Sequence, residues 1–228
     1  MKLKNRIGTL AGLSMAGLVC WGSAASAMTR ISEVYYDAPG SDDGQLFVEL
    51  SGTPGASLEG FTLEGINGTN GAAGPTILLG GAIRADGLFL IADTMSDGST
   101  NVADADWTAN FDFQNGPDSV RLRFGEEVYD ALGYGVFDPD EIFAGEGSAA
   151  PDAPAGSSLA RVFANLDTGD NSVDFQILSD PTPGAAAFSP VPEPGTALLL
   201  GLGLATLAGS KRSGADPDWD LPFTAESL

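Results

Sequence analysis

Residues 118–134, DSVRLRFGEEVYDALGY, decide the fold class. Val120, Leu122 and Phe124 alternate with Arg121 and Arg123, a period of two that turns one face of a strand inward and the other to water. Glu127 to Tyr134 continues on the far side of Gly125-Glu126. Two such runs separated by two residues predict an antiparallel hairpin with a tight turn.

The same reading carries outward in both directions. Arg30 to Asp37 reads as a first strand, ended by the turn-forming run Ala38 to Gly44. Gln45 to Leu50 alternates Leu46, Val48 and Leu50 against Gln45, Phe47 and Glu49. Gly60 to Ile66 sets Phe61, Leu63 and Gly65 against Thr62 and Glu64. Thr76 to Leu79 is a short apolar piece. Gly87 to Ala92 is apolar throughout, as expected of a strand covered on both faces. Ser158 to Phe163 and Val173 to Leu178 close the set, and Asp93 to Gln114 reads as a long insert between strands. Eight or nine short strands joined by Gly, Asp and Pro turns, with no amphipathic helix of useful length, indicate an all-β sandwich.

Composition narrows the function classes. The 228 residues hold 10 Lys+Arg, 31 Asp+Glu and no His, for a net charge of −21. Residues 28–190 carry 5 basic and 26 acidic residues, so the whole excess sits on this body. Such a surface repels nucleic acid and anionic lipid headgroups. Without His the commonest general base and metal ligand is missing. The one cysteine, Cys20, lies near the N-terminus, so the body forms no intrachain disulfide and is held by packing.

The two ends read as addresses. Lys2, Lys4 and Arg6, then an apolar run from Leu10 to Trp21, then Ala25-Ser26-Ala27, have the order of a signal peptide spanning 1–27, with cleavage after Ala27 and Ala25 in the small-residue motif. A Pro/Ala-rich stretch from Ser179 reads as a tether. The domain is placed at 28–185 and a linker carrying Pro192-Glu193-Pro194 at 186–195. Thr196 to Ala208 is apolar, and Lys211-Arg212 follows. At 1.5 Å per residue that run covers roughly 20 Å of a ~30 Å hydrocarbon core; extension from Val191 to Ser210 reaches across, with the basic pair as cytoplasmic stop. We place a transmembrane helix and stop at 196–212 and an acidic tail at 213–228.

Candidate sites are few. Asp167, Asp170, Asn171 and Asp174 offer oxygens for Ca²⁺, but without the 12-residue loop and terminal Glu of a calcium hand; turn capping by Asp and Asn is the simpler reading. Ser41-Asp42-Asp43-Gly44 and Asp104 with Asp106 are weaker versions, and no other cofactor is expected. Glu33 and Glu49, on adjacent expected strands, form the one pair from which a glycoside hydrolase could be built. They read instead as strand-surface carboxylates, and we assign no catalytic residue. Asn67-Gly68-Thr69 has the glycosylation pattern, which is commonplace by chance. Tyr35, Tyr36, Phe61 and Trp107 could form a stacking surface for carbohydrate, although aromatics in sandwiches are usually core.

Two resemblances follow from these residues. Ile31-Ser32-Glu33-Val34, Phe47-Val48-Glu49-Leu50, Leu58 to Leu63, Asp86 to Ala92, Asp118 to Leu122 and Asp130 to Gly135 resemble, in order, the strands of the lamin tail domain, and Gly156 to Arg161, Asp167 to Phe175 and Pro181-Thr182-Pro183-Gly184 resemble its ending. That likeness spans roughly 30–185 and implies an immunoglobulin-like β-sandwich. The far end resembles the PEP-CTERM sorting signal of Gram-negative bacteria through Pro192, Glu193, Pro194, the apolar run, and Lys211 and Arg212. It implies export, transient residence in the inner membrane, cutting near Pro-Glu-Pro by the membrane protease exosortase, and transfer to the cell surface or matrix. The family usually stops soon after the basic residues, whereas this chain adds Ser213 to Leu228. The combined expectation is a non-enzymatic adhesion or binding module for extracellular polysaccharide or protein. The alternatives are a hydrolase on the same scaffold, or a Ca²⁺-stabilised module permanently anchored by the C-terminal helix.

Overall fold

The computed structural model describes residues 29–163 and 166–186. The expected signal peptide with Ala25 and Ala27, and the sorting residues Pro192 to Arg212, lie outside the described residues. Among those residues, no helix is long and apolar enough to cross a membrane.

Ten strands and one short helix are described. They are β1 (Arg30–Tyr35), β2 (Phe47–Ser51), β3 (Phe61–Asn67), β4 (Ala73–Leu78), β5 (Leu88–Asp93), β6 (Trp107–Ala109), β7 (Asp118–Phe124), β8 (Glu127–Tyr134), β9 (Ser158–Arg161), α1 (Asn171–Asp174) and β10 (Phe175–Leu178). They form two sheets, one in the order β10-β9-β1-β2-β5-β6 and the other β4-β3-β7-β8. The chain is all-β, as expected. The β7–β8 hairpin closes through Gly125, whose φ of +59° at the first central position gives the turn the sense that matches strand twist. A bulge between Leu122 and Arg123 follows, and beyond it the buried Asp130 pairs with Leu122.

The core lies between the sheets. Ile31, Val34, Val48, Leu50, Phe89 and Ile91 on one side meet Leu63, Ile77, Val120, Leu122 and Leu132 on the other. Tyr36 and Tyr134 stack at 4.2 Å between ring centroids. Each large apolar side chain buried this way contributes about 1.5–3 kcal/mol against the chain entropy. Arg121 and Arg123 turn outward and share Glu64 across the strands, at 2.7 and 3.3 Å. Phe124, expected inside, is 46 % exposed. It sits at the end of its strand, packed on Phe61 and Tyr129.

The larger sheet departs from simple alternation, because its outer face is also covered. On β2, Phe47 and Glu49 are as buried as Val48 and Leu50. One cover is the insert after β5: Val102 packs on Phe47, Leu90 and Ala92, and β6 runs parallel to β5. The second cover is the start of the Pro/Ala stretch: Thr182 bonds to Glu33 and Gly184 to Glu49 on this face.

Candidate functional site

The expected metal ligands are placed by short local elements. Asp170 caps α1: its carboxylate accepts from the Ser172 amide at 3.0 Å and the Ser172 hydroxyl at 2.7 Å, and from the Ser148 amide at 3.2 Å. These bonds, the hydroxyl's first, hold it below the ordinary carboxylate range. Asn171 is fully buried. Its Oδ1 accepts from the amides of Gly133 and Glu146, each at 2.8 Å, and its Nδ2 donates to the Ala131 carbonyl at 2.8 Å, so one amide stands in for a strand along the β8 edge. Asp174 accepts from the Thr168 amide and hydroxyl. Asp167 accepts from Arg30 at 3.1 Å and from the Gly169 amide at 3.0 Å. Burial works against its charged form, yet the Gly169 amide and the guanidiniums of Arg161 and Arg30 hold it below the ordinary range. The four residues do not converge on one point: Asp170 and Asn171 cap and bridge, while Asp167 and Asp174 turn toward Arg161.

Arg161, which the sequence marks only as part of a strand segment and not as a site residue, is the centre of this region. Its side chain is 0 % exposed. Nη2 donates to both oxygens of Asp130 at 2.9 Å, Nε to the Ile31 carbonyl at 3.0 Å, and Nη1 to Asp174 at 3.3 Å. Asp167 lies 3.7 Å away, and the guanidinium sits 4.5 Å from the centroid of the Phe175 ring. Asp130 also takes the Ile31 amide at 2.6 Å. Burial pushes its carboxyl up, against the pull of Arg161 and that amide. Asp130, Glu146 and Asp167 bring one carboxylate oxygen each within 4.8 Å of one another. Arg161 already supplies positive charge to this cluster. Burial, and then Asp130 and Asp167, push Glu146 up to about 7, with Arg161 opposing.

Asp42 belongs to a separate acidic cavity of about 460 Å³, lined by Asp42, Asp43, Asp93, Asn110 and Asp112 among others. Asp93 spends its oxygens on the Gly44 and Phe111 amides, at 2.6 and 2.9 Å, and Asp42 accepts from the Ala38 amide at 2.7 Å. Burial, then Asp42 and Asp93, raise Asp112. Asp104 takes a positive φ of 56°, and Asp106 accepts from the Leu90 amide at 2.8 Å. Asn67 of the sequon, the last residue of β3, donates to Gln114 at 2.5 Å. Tyr36 and Phe61 are core, while Tyr35 and Trp107 are half-buried, the one beside Phe47 and the other in β6.

The Glu33–Glu49 pair is the least expected site. The two are cross-strand partners on β1 and β2, and both are 1 % exposed, where the sequence reads them as strand-surface carboxylates. Glu33 accepts from the Ser158 hydroxyl at 2.6 Å, the Thr182 amide at 2.9 Å and the Thr182 hydroxyl at 2.7 Å. Glu49 accepts from the Ser32 hydroxyl and the Gly184 amide, each at 3.0 Å. Arg84 donates to the Gly184 carbonyl at 3.1 Å. Burial first, with Glu33 beside it, pushes the Glu49 carboxyl up to about 8; Ser32, Gly184 and Arg84 act the other way. The pair has the residue types of a hydrolytic site, yet residues 182–184 lie over it as a strap.

A family model, the PEP-CTERM protein-sorting motif, matches residues 190–213. The match marks this end of the chain as a sorting signal of an exported protein, of the kind processed by exosortase, a membrane protease. No curated protein and no solved structure matches the chain.

Proposed function

We propose that this protein is a non-enzymatic, exported β-sandwich module that is delivered to the cell surface or extracellular matrix and acts there by binding polysaccharide or protein. The observation that carries the reading is the sorting-motif match at 190–213, four residues beyond the last described residue of the sandwich. The motif routes the chain through the inner membrane to exosortase, and the folded body is the cargo. The ordered likeness of its strand sequences to the lamin tail domain supports an immunoglobulin-like module as that cargo, and so does a body of two packed sheets. The strong negative charge favours a soluble, mutually repelling matrix component and disfavours nucleic acid. The non-enzymatic part is supported by Glu33 and Glu49, whose oxygens are engaged by Ser158, Ser32 and the strap. A second reading, permanent anchoring by an uncut span, draws on the acidic extension Ser213 to Leu228 beyond the basic pair. Fractionation of producing cells tests the proposal. The sandwich is expected outside the inner membrane; full-length chain confined to the cytosol would overturn it.

A further inference from the structure

The chain leaving the sandwich is tied down before it reaches the sorting signal. After β10 it turns back across the outer face of the larger sheet: Thr182 meets Glu33 on β1, and Gly184 meets Glu49 on β2 and Arg84 ahead of β5. The strap supplies backbone and hydroxyl donors, and the sheet supplies the two buried carboxylates. Gly184 adopts a φ of +78°, which points its amide at Glu49 in a conformation open to glycine and strained for other residues.

This is an expensive way to hold a strap permanently. Two carboxyl groups side by side on neighbouring strands cannot both ionise without repulsion, and both lose their hydration when the strap covers them. Lifting the strap returns water to both, which offsets much of the hydrogen bonding that is lost. The groups that face Glu49 are Glu33 on β1 and Arg84, itself paired with Asp86 at 3.1 Å and Asp106 at 3.4 Å, so the site holds more negative than positive charge. Residues 181–186 are half-buried or exposed, so the sandwich core does not depend on them. These features lower the net gain of holding the strap down.

We infer that the Thr182–Gly184 strap is a releasable latch that sets the length of chain between the folded domain and the sorting signal, and through it the rate of processing. This rests on the sorting role proposed above. With the latch closed, 8 residues separate Gly184 from Pro192, at most ~27 Å of extended chain. With it open, the free chain starts at Leu178, 14 residues away, and reaches ~48 Å. The closed latch shortens the tether between the acidic domain and the segment the membrane protease must grip; release lengthens it.

The test uses the full chain in cells that process it. Gly184→Pro removes the amide donor and cannot take the positive φ, and Thr182→Pro removes both Thr182 donors by a different route. Pulse–chase labelling follows conversion of precursor to mature protein, and amide hydrogen exchange on the secreted protein follows the Thr182 amide in the wild type and in Gly184→Pro. The latch predicts a protected Thr182 amide in the wild type, its loss in Gly184→Pro, and several-fold faster conversion in both variants. An unprotected Thr182 in the wild type, or unchanged conversion after release, would overturn it. A wild-type chain that never matures removes the sorting role and the latch together, whereas one that matures at the same rate as both variants removes the latch alone.

Discussion

Replacing Arg161 by Met keeps the aliphatic length of the side chain and removes the guanidinium. Asp130, fully buried, then loses both bonds from Nη2 and keeps only amide donors, including Ile31 at 2.6 Å. Asp174 and Asp167 lose their shared cation as well. Leaving buried carboxylates without their partner costs about 3–5 kcal/mol, a large part of the ~5–15 kcal/mol that holds a domain together. At ~2–4 °C per kcal/mol for this size of chain, the melting temperature falls by roughly 10–15 °C. The unpaired carboxylates bind protons more tightly when folded than when unfolded, so the deficit against wild type shrinks as the pH is lowered from neutral. Loss of the guanidinium also leaves Asp130, Glu146 and Asp167 facing one another, so millimolar Ca²⁺ restores part of the stability of the variant. Calorimetry of the purified exported protein reads all three effects. A loss below about 1 kcal/mol, the value of an exposed pair, with no pH dependence, would refute the account of this network.

Three further outcomes follow from the same geometry. Glu49 holds its proton up to about pH 8 when folded and to its ordinary value of 4.5 when unfolded, so stability falls as pH rises between those limits, by at most ~1.4 kcal/mol per unit; Glu146 adds to the same slope up to about 7. Melting curves across this window check it: Glu49→Gln flattens the slope, and a wild type whose stability rises with pH contradicts it. In the wild type, millimolar Ca²⁺ shifts melting by less than about 1 °C, because Asp167, Asp170 and Asp174 are already engaged by amides, hydroxyls and guanidiniums; a clear rise would show that an acidic cluster binds the ion. Gly125→Ala at the β7–β8 turn costs about 1 kcal/mol by forcing a side chain to a φ of +59°, measurable by urea denaturation.

Alternation along Ser119 to Phe124 and Glu127 to Tyr134 was enough to read the hairpin, its turn and the outward pair Arg121 and Arg123. The unbroken apolar run ending at Ala92 was enough to read a strand covered on both faces. What could not be read came from covers distant in sequence. Nothing within Phe47 to Leu50 says that Val102 and Gly184 will close over its outer side, so Glu49 looked like a surface residue. β6 is three residues long and too short to show a period, and α1 has four residues of cap chemistry. The Arg161 network had one faint signal: an arginine directly after Leu159-Ala160 and before Val162-Phe163, in a body with only five basic residues. A cation in so apolar a run has to find buried carboxylates, but their identity, Asp130 and Asp174, is set by the packing of β8 and α1 against β9 and β10.

The central claim is that this sandwich is exported and released by cutting at the sorting signal. Intact-mass measurement of the protein recovered from outside the producing cells tests it most directly. The account predicts a polypeptide that begins at Met28 and ends upstream of Thr196, near Pro192-Glu193-Pro194. Recovery of a chain that still carries Thr196 to Arg212, or of no chain outside the cell at all, would contradict it.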